Sequence, residues 1–322
     1  METTWRWVLV TAIAPIAWGS TYWVTREFLP ADAPLWGAVI RALPAGLLLF
    51  VLRRRRPHGA WWWRSAVLGT LNVGVFFALI YLVAQLLPTS LASTIMATSP
   101  AAMMVLAWLF AGERLRLVPL IGAGLGIGGV ALLLAGDGVA AAPLGIAASV
   151  LAMLLSSLGY ILAKRWRDGT DVLSVTSWQL LAGGLLLLPV ALVVEGAPPA
   201  ADGAGIVAFA YVSVIATAVA FAAWFAGLAR LPAGTVGLVG LLNPVAGVLL
   251  GVLLAGERLG PWQFAGLGIV LLGIVMGQPS AQRALARARR GLGRRPRSAP
   301  GARTPAARVH RTEVPTPVPA DC

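Results

Sequence analysis

Charge is scarce in this chain and missing from the places where an enzyme would need it. Charged residues make up 11% of the sequence, against about 25% in a typical soluble domain. No aspartate or glutamate falls in the middle of any apolar stretch. The one cysteine is Cys322, which excludes an internal disulfide and a cysteine-held metal. The two histidines, His58 and His310, lie in a basic segment and in the basic C-terminal region. Paired carboxylates, an HExxH helix and a Walker-type phosphate loop are all lacking. Metal hydrolysis, general acid–base catalysis, ATP coupling and a buried carboxylate proton relay therefore have no residues to carry them. The expectation is a protein with no catalytic residues, no metal and no cofactor.

What the chain has instead is apolar length. Hydrophobic residues are 58% of it, and several runs of about 18–22 residues without charge are long enough to cross a bilayer core of about 30 Å as helices. Barrel strands would alternate in polarity over about ten residues. Ten spans are expected: Trp7–Thr25, Pro34–Leu52, Ser65–Gln85, Pro88–Ala111, Leu117–Ala135, Pro143–Ala163, Leu173–Val193, Gly205–Leu228, Ala233–Ala255 and Pro261–Gly277. Proline opens several of them, where its missing N–H costs nothing. The first span resembles a signal peptide in having Arg6 and an Ala-x-Ala at Ala12–Ala14. Its apolar character runs on through Val24, and a retained helix is expected.

The net charge of +13 is distributed as topogenic charge, not as a nucleic-acid site. With both termini in the cytoplasm, that side receives 22 basic residues, including Arg6, Arg53–Arg56, Arg64, Arg114, Arg116, Lys164, Arg165, Arg167, Arg230 and ten after Gln278. The exterior receives only Arg26 and Arg258, and Arg41 stays inside a span. This bias predicts a multi-pass protein of the cytoplasmic membrane. Trp5, Trp7 and Trp61–Trp63 fit interfacial anchoring. Residues 279–322 read as a disordered basic cytoplasmic tail, solvated or in contact with anionic lipid headgroups.

The pentapeptide Ala-Gly-Glu-Arg-Leu occurs at Ala111–Leu115 and again at Ala255–Leu259. Around it, Leu87–Gly129 aligns without a gap at an offset of 144, with 14 identities that include Pro100 on Pro244 and Gly122 and Gly129 on Gly266 and Gly273. Earlier in each half the offset is 138, which places Tyr22 on Tyr160, Arg41 on Gln179, and Gly46-Leu47-Leu48-Leu49 on Gly184-Leu185-Leu186-Leu187. Each copy holds five spans, and an odd number inserts the second copy upside down relative to the first. The predicted fold class is an all-α integral membrane protein of ten transmembrane helices in two inverted five-helix repeats, 7–140 and 143–278.

Four features stand together: Trp18-Gly19-Ser20-Thr21-Tyr22, Arg41 followed by Ala45–Leu49, the Pro100/Pro244 pair and the two Gly-Glu-Arg-Leu turns. With them, the chain resembles the EamA family of the drug/metabolite transporter superfamily. The resemblance implies a central cavity between the halves and alternating access to it. Relatives carry amino acids and other metabolites, nucleotide sugars, triose phosphates or drugs, and the family leaves the substrate open. A small-molecule substrate and membrane lipids are the expected partners, nucleic acid is not, and homo-oligomerisation is compatible with the sequence.

Arg41 is the sharpest candidate substrate contact. A guanidinium in hydrocarbon costs a few kcal/mol, so it needs a wet cavity or a partner. A carboxylate or phosphate would match its planar fork; binding to carbonyls bared by a kinked helix and snorkelling toward the exterior half are the structural alternatives. The equivalent Gln179 makes the cavity electrically lopsided, which suits a substrate with one anionic end. Trp18, Ser20, Tyr22, Tyr81, Tyr160, Trp178, Trp224 and Asn243 are the other candidates, each combining apolar surface or small size with a polar handle. Plain helix packing is the alternative for each. Pro100 and Pro244 free the carbonyls of Met96 and Gly240 and are candidate hinges or static kinks. Glu113 and Glu257 close their helices where a negative charge opposes the dipole. Each is expected to pair with its adjacent arginine or to cap a neighbouring helix as a gate or latch.

Overall fold

The structure, a computed structural model, describes residues 2–28, 32–87, 95–133, 142–255 and 260–278. Each expected span overlaps helix among the described residues, while 88–94 and 134–135 lie outside them. We number the helices α1 (Glu2–Phe28), α2 (Pro34–Arg53), α3 (three segments: Trp61–Gly69, Thr70–Gly74 and Val75–Leu86), α4 (Ser99–Ala111) and α5 (Leu117–Leu133). The second half follows as α6 (Pro143–Arg165), α7 (Val172–Val194), α8 (Gly203–Ser213, Val214–Val219 and Ala220–Leu228), α9 (Ala233–Gly240 and Leu242–Ala255) and α10 (Pro261–Met276). Pro34, Pro143 and Pro261 each stand in a first turn. The side chains of Asp171 and Asp202 cap α7 and α8 by accepting from the Ser174 and Gly205 N–H groups. Gly112, with φ 67°, closes α4 in the left-handed conformation that suits glycine.

By length and composition, Pro34–Arg53, Trp61–Ile80, Pro143–Arg165, Val172–Val194 and Gly203–Leu228 can each cross a bilayer. Large apolar side chains such as Val193, Leu253 and Trp262 point outward, while Thr11, Asn72, Gln179 and Thr217 are fully buried. That inside-out distribution suits a molecule surrounded by lipid.

Two pairs of equivalent helices, α2 with α7 and α5 with α10, pack against each other and run antiparallel. In the α2/α7 contact, a Cβ on Gly46 would come within 2.9 Å of Leu181, and a Cβ on Gly184 within 2.6 Å of Leu43. The offset of 138 carries one contact onto the other. The α5/α10 contact repeats the pattern: a Cβ on Gly122 would lie 2.8 Å from the Gly273 carbonyl, and one on Gly129 2.9 Å from that of Gly266. In both pairs the partner number falls as the residue number rises. The halves are therefore related by a pseudo-two-fold axis that reverses chain direction, as inverted repeats require.

One end of the molecule gathers the polar connections. Arg53, closing α2, forms a two-pronged ion pair with Asp171 at 2.5 and 2.8 Å. Arg64 approaches Asp168 at 3.5 Å. Arg230 lies over the Trp7 ring at 3.8 Å, and Thr235 donates to the Gly277 carbonyl. The start of α1 and the end of α10 thus share this basic end. At the other end, the Glu195 carboxylate accepts the Leu35 and Trp36 N–H groups at 2.7 and 2.8 Å and caps α2 from the far repeat.

Three expectations change. The third span begins at Trp61, not at Ser65, and Trp61 is buried (2% exposed), donating Nε1–H to Asp168 instead of anchoring an interface. Trp62 and Trp63 are the exposed members of that run. Pro100 and Pro244 do not kink continuous helices. Each stands in the first turn of a fresh helical segment, after a turn at 97–98 or a break at Leu241, because a residue without an N–H fits best where none is needed. The tail, 279–322, lies outside the described residues.

The Arg53 hydrogen bonds hold the Asp171 carboxyl down at about 2, below its ordinary 3.8, against opposing desolvation. A depressed carboxylate contributes stability above its unfolded value and loses it as pH falls through the folded value. The part of the stability that depends on Asp171 is therefore expected to be constant from neutrality to about pH 4.5 and to be lost progressively as the pH falls toward 2, a small effect for a largely exposed pair. Asp171→Asn should remove that part of the acid loss, which melting curves across the pH series would read.

Candidate functional site

α3 and α8 each contain a wide π-helical turn, at Thr70–Gly74 and Val214–Val219. An offset of 144 superposes them, so the irregularity is duplicated. π turns bare or re-aim backbone groups and recur at functional sites. Here each turn receives the polar side chain from the second helix of the opposite repeat.

In α8, Arg41 of α2 donates from Nε to Thr217 Oγ1 at 3.1 Å and from an Nη to the Ala216 carbonyl at 3.4 Å. Trp18 of α1 donates its indole N–H to the same carbonyl at 3.0 Å. The Arg41 guanidinium also stands over the Phe77 ring at 4.8 Å and remains half-buried. In α3, Asn72 donates from Nδ2 to Gln179 Oε1 of α7 at 2.9 Å, and both side chains are fully buried. Gln179 is the equivalent of Arg41, and Asn72 that of Ala216. The same cross-repeat contact is therefore built twice, once charged and once neutral. Arg41 and Gln179 each stand seven residues into antiparallel helices. Arg41 consequently lies in the half away from the basic end, and Gln179 in the half toward it.

Aromatic rings surround the charged contact. Trp224 lies 5.3 Å from Trp18 and 5.4 Å from Tyr160, centroid to centroid, and Phe221 lies 5.3 Å from Trp18. The Trp224 indole N–H is buried and makes no hydrogen bond among the described residues. Gly240, at the α9 break, packs on the same ring: a Cβ there would meet it at 3.2 Å. Ser20 shares a 2.5 Å hydrogen bond with Tyr211. Asn243 meets α1 through its carbonyl, 2.6 Å from where a Gly19 Cβ would stand. These candidates come from five helices: Trp18 and Arg41 touch the α8 turn, Trp224 joins it through the Trp18 ring and Tyr160 through Trp224, and Ser20 and the Asn243 carbonyl lie on and beside α1.

Trp178 does not join them. Successive helical residues point about 100° apart, so it turns away from Gln179 to donate to the Arg55 carbonyl and pack on His58 and Trp61 at the basic end. The side chains of Tyr22 and Tyr81, and all of Glu257, lie outside the described residues. Pro100 packs under Gly237, where a Cβ would stand 2.9 Å from its Cα, so the broken α4 and α9 cross there. Glu113 pairs with Lys164 of α6 at 2.7 Å and accepts the Ala233 N–H at 3.0 Å, capping α9. Its ionic partner therefore belongs to the other repeat and is not the adjacent Arg114.

The sequence reading missed Asn72, Thr217, Tyr211 and Glu195. Asn72 carried a usable signal, as a lone carboxamide inside an apolar span is costly unless partnered. Glu195 carried none, because nothing local pairs it with residues 160 positions away.

The EamA-like transporter family model matches residues 5–135 and again 143–276, once per repeat. The chain is 34% identical over 267 residues to Protein PecM of Dickeya dadantii, spanning 82% of this chain and 90% of that one. It is 25% identical over 266 residues to the inner membrane transporter YedA of Escherichia coli, spanning 81% and 87%. A solved crystal structure superposes with a TM-score of 0.75 over 87% of this chain and 98% of its own, at 19% identity, which speaks to the fold. With two family matches, one over each half of an all-helical inverted repeat, the chain belongs to the EamA-like transporter family, within the drug/metabolite transporter superfamily.

Proposed function

We propose that this protein is a secondary transporter that moves small metabolites across the cytoplasmic membrane by alternating access, exporting amino acids or related carboxylate-bearing compounds. The observation behind this reading is the duplicated contact at the π turns, charged at Arg41 and neutral at Gln179. Inverted repeats supply two symmetry-related open states. The ties between α2 and α8 and between α7 and α3 are placed to part alternately. Their unequal chemistry provides one cationic pole, where an anionic group gains a planar donor fork. The breaks at Pro100 and Pro244 are the hinges in this scheme, and the Glu113 cap is a latch.

Flux into proteoliposomes tests it. Labelled amino acids should be transported, and transport should depend on Arg41. Flux of no solute in a broad panel would make the protein a non-transporting scaffold. A second reading, efflux of amphipathic compounds, draws on the Trp18/Tyr160/Trp224 cluster with its unpartnered indole N–H. It predicts transport of cationic amphipaths that is insensitive to Arg41.

The orientation belongs to the same proposal, with the basic end in the cytoplasm. Reporter fusions after Pro30 and Pro198 should be external, and those after Pro57 and Gly169 cytoplasmic. A cytoplasmic reporter after Pro198 contradicts the inverted arrangement.

A further inference from the structure

A cavity of about 490 Å³ opens at the basic end, within the ordinary range for metabolite sites. Among the described residues, Arg114, Arg116, Lys164 and Arg230 line it together with one carboxylate, Glu113. That carboxylate is bound as a free oxyanion would be. It takes the Lys164 ammonium at 2.7 Å and the Ala233 N–H, the first of α9, at 3.0 Å. Lys164 also donates to the Leu231 carbonyl, so the ammonium and the helix start form one donor fork. Glu113 reaches it from the end of α4, just past the left-handed Gly112.

We propose that this cavity binds an oxyanion, the phosphate or carboxylate group of a small solute or of an acidic lipid, in competition with Glu113. The fork has room for one carboxylate, and the exposed Arg114 beside it keeps the cavity attractive to a second. An arriving oxyanion takes Lys164 and the Ala233 N–H, and Glu113 leaves them. That exchange removes the tie from α4 to α6 and α9, a tie between the two repeats at this end. Occupancy of the cavity and release of this end are thus linked. The site goes beyond the transport reading, and because its test measures binding and not flux, the two can fail separately.

The probe is inorganic phosphate, titrated at constant ionic strength against the full chain in phosphatidylcholine nanodiscs. Saturable binding is expected. Arg114→Gln should weaken it severalfold, as one charge beside the fork is lost. Arg114 is exposed, so this variant carries the test even if Glu113→Gln fails to accumulate. Glu113→Gln should bind phosphate severalfold more tightly, since the tethered competitor is gone. Asp168→Asn changes the net charge equally at the same end and should leave affinity unaltered. Absent binding, affinity indifferent to Arg114→Gln, weaker binding by Glu113→Gln, or equal tightening by Asp168→Asn would each overturn the proposal. In nanodiscs containing phosphatidylglycerol, loss of the phosphate response assigns the natural occupant to a lipid headgroup. A preserved response assigns it to a soluble anion.

Discussion

Arg41→Ala is expected to reduce transport of carboxylate-bearing solutes about tenfold to a hundredfold at equal membrane abundance. A hydrogen bond from a charged donor contributes about 1.5–3 kcal/mol, and about 1.4 kcal/mol is a factor of ten in rate. The protein itself should insert and fold, because the variant sheds a charge that is costly in an apolar span. Trp18 still donates to the Ala216 carbonyl, so that acceptor keeps a partner. Arg41→Lys should restore transport only in part, since an ammonium does not reproduce the guanidinium fork. Arg41→Gln is the sharper variant: it copies Gln179, retains a donor toward Thr217 and abolishes the charge. Efflux or uptake by the three variants separates anion recognition from a strut between α2 and α8. If every transported solute moves at the wild-type rate in Arg41→Ala, the arginine is the strut.

Gly273→Leu is expected to cut the yield of folded protein severalfold, while Gly268→Leu leaves it unchanged. A Cβ on Gly273 would stand 2.5 Å from the Gly122 carbonyl, a backbone atom that yields only if α5 and α10 separate. Overpacking of this kind costs about 1–3 kcal/mol and more when backbones are forced apart. Nothing lies within 4 Å of a Cβ on Gly268, five residues earlier on the same helix. The glycine run of α5 should divide the same way, with Gly122 and Gly129 intolerant and Gly124 and Gly128 tolerant. Size-exclusion profiles and melting temperatures in detergent would measure this. Equal tolerance at Gly273 and Gly268 would mean that the α5/α10 contact does not limit folding.

The run Gly122–Gly129 shows how far sequence carries the argument. Its glycines read as a close helix-packing surface, and the duplicated spacing named the equivalents in α10. Which of them touch depends on the rotation of each helix about its axis. A repeat of glycines every second residue leaves that angle undetermined, since it covers more than one face.

The central site divides along the same line. Arg41 was legible because a charge inside an apolar span is expensive wherever the span packs. Its match to Gln179 was legible because the repeat offset is arithmetic. Their partners were not. Thr217 and Ala216 lie more than 170 residues away, and the π turns that present them have no composition signal. Trp178 shows the converse: its neighbour Gln179 faces the centre, and one residue of helical rotation turns it to the basic end. Hydrophobic length and duplication by themselves determined the all-α membrane class, the inverted repeat and the unequal pair Arg41/Gln179, because each is a property of chain order. Tertiary structure alone decided that each member of that pair grips the π turn of the opposite repeat, and that Glu113 and Glu195 cap helices across the repeats. Those contacts depend on how two halves dock, and docking is set by side-chain packing between segments that the sequence does not make neighbours.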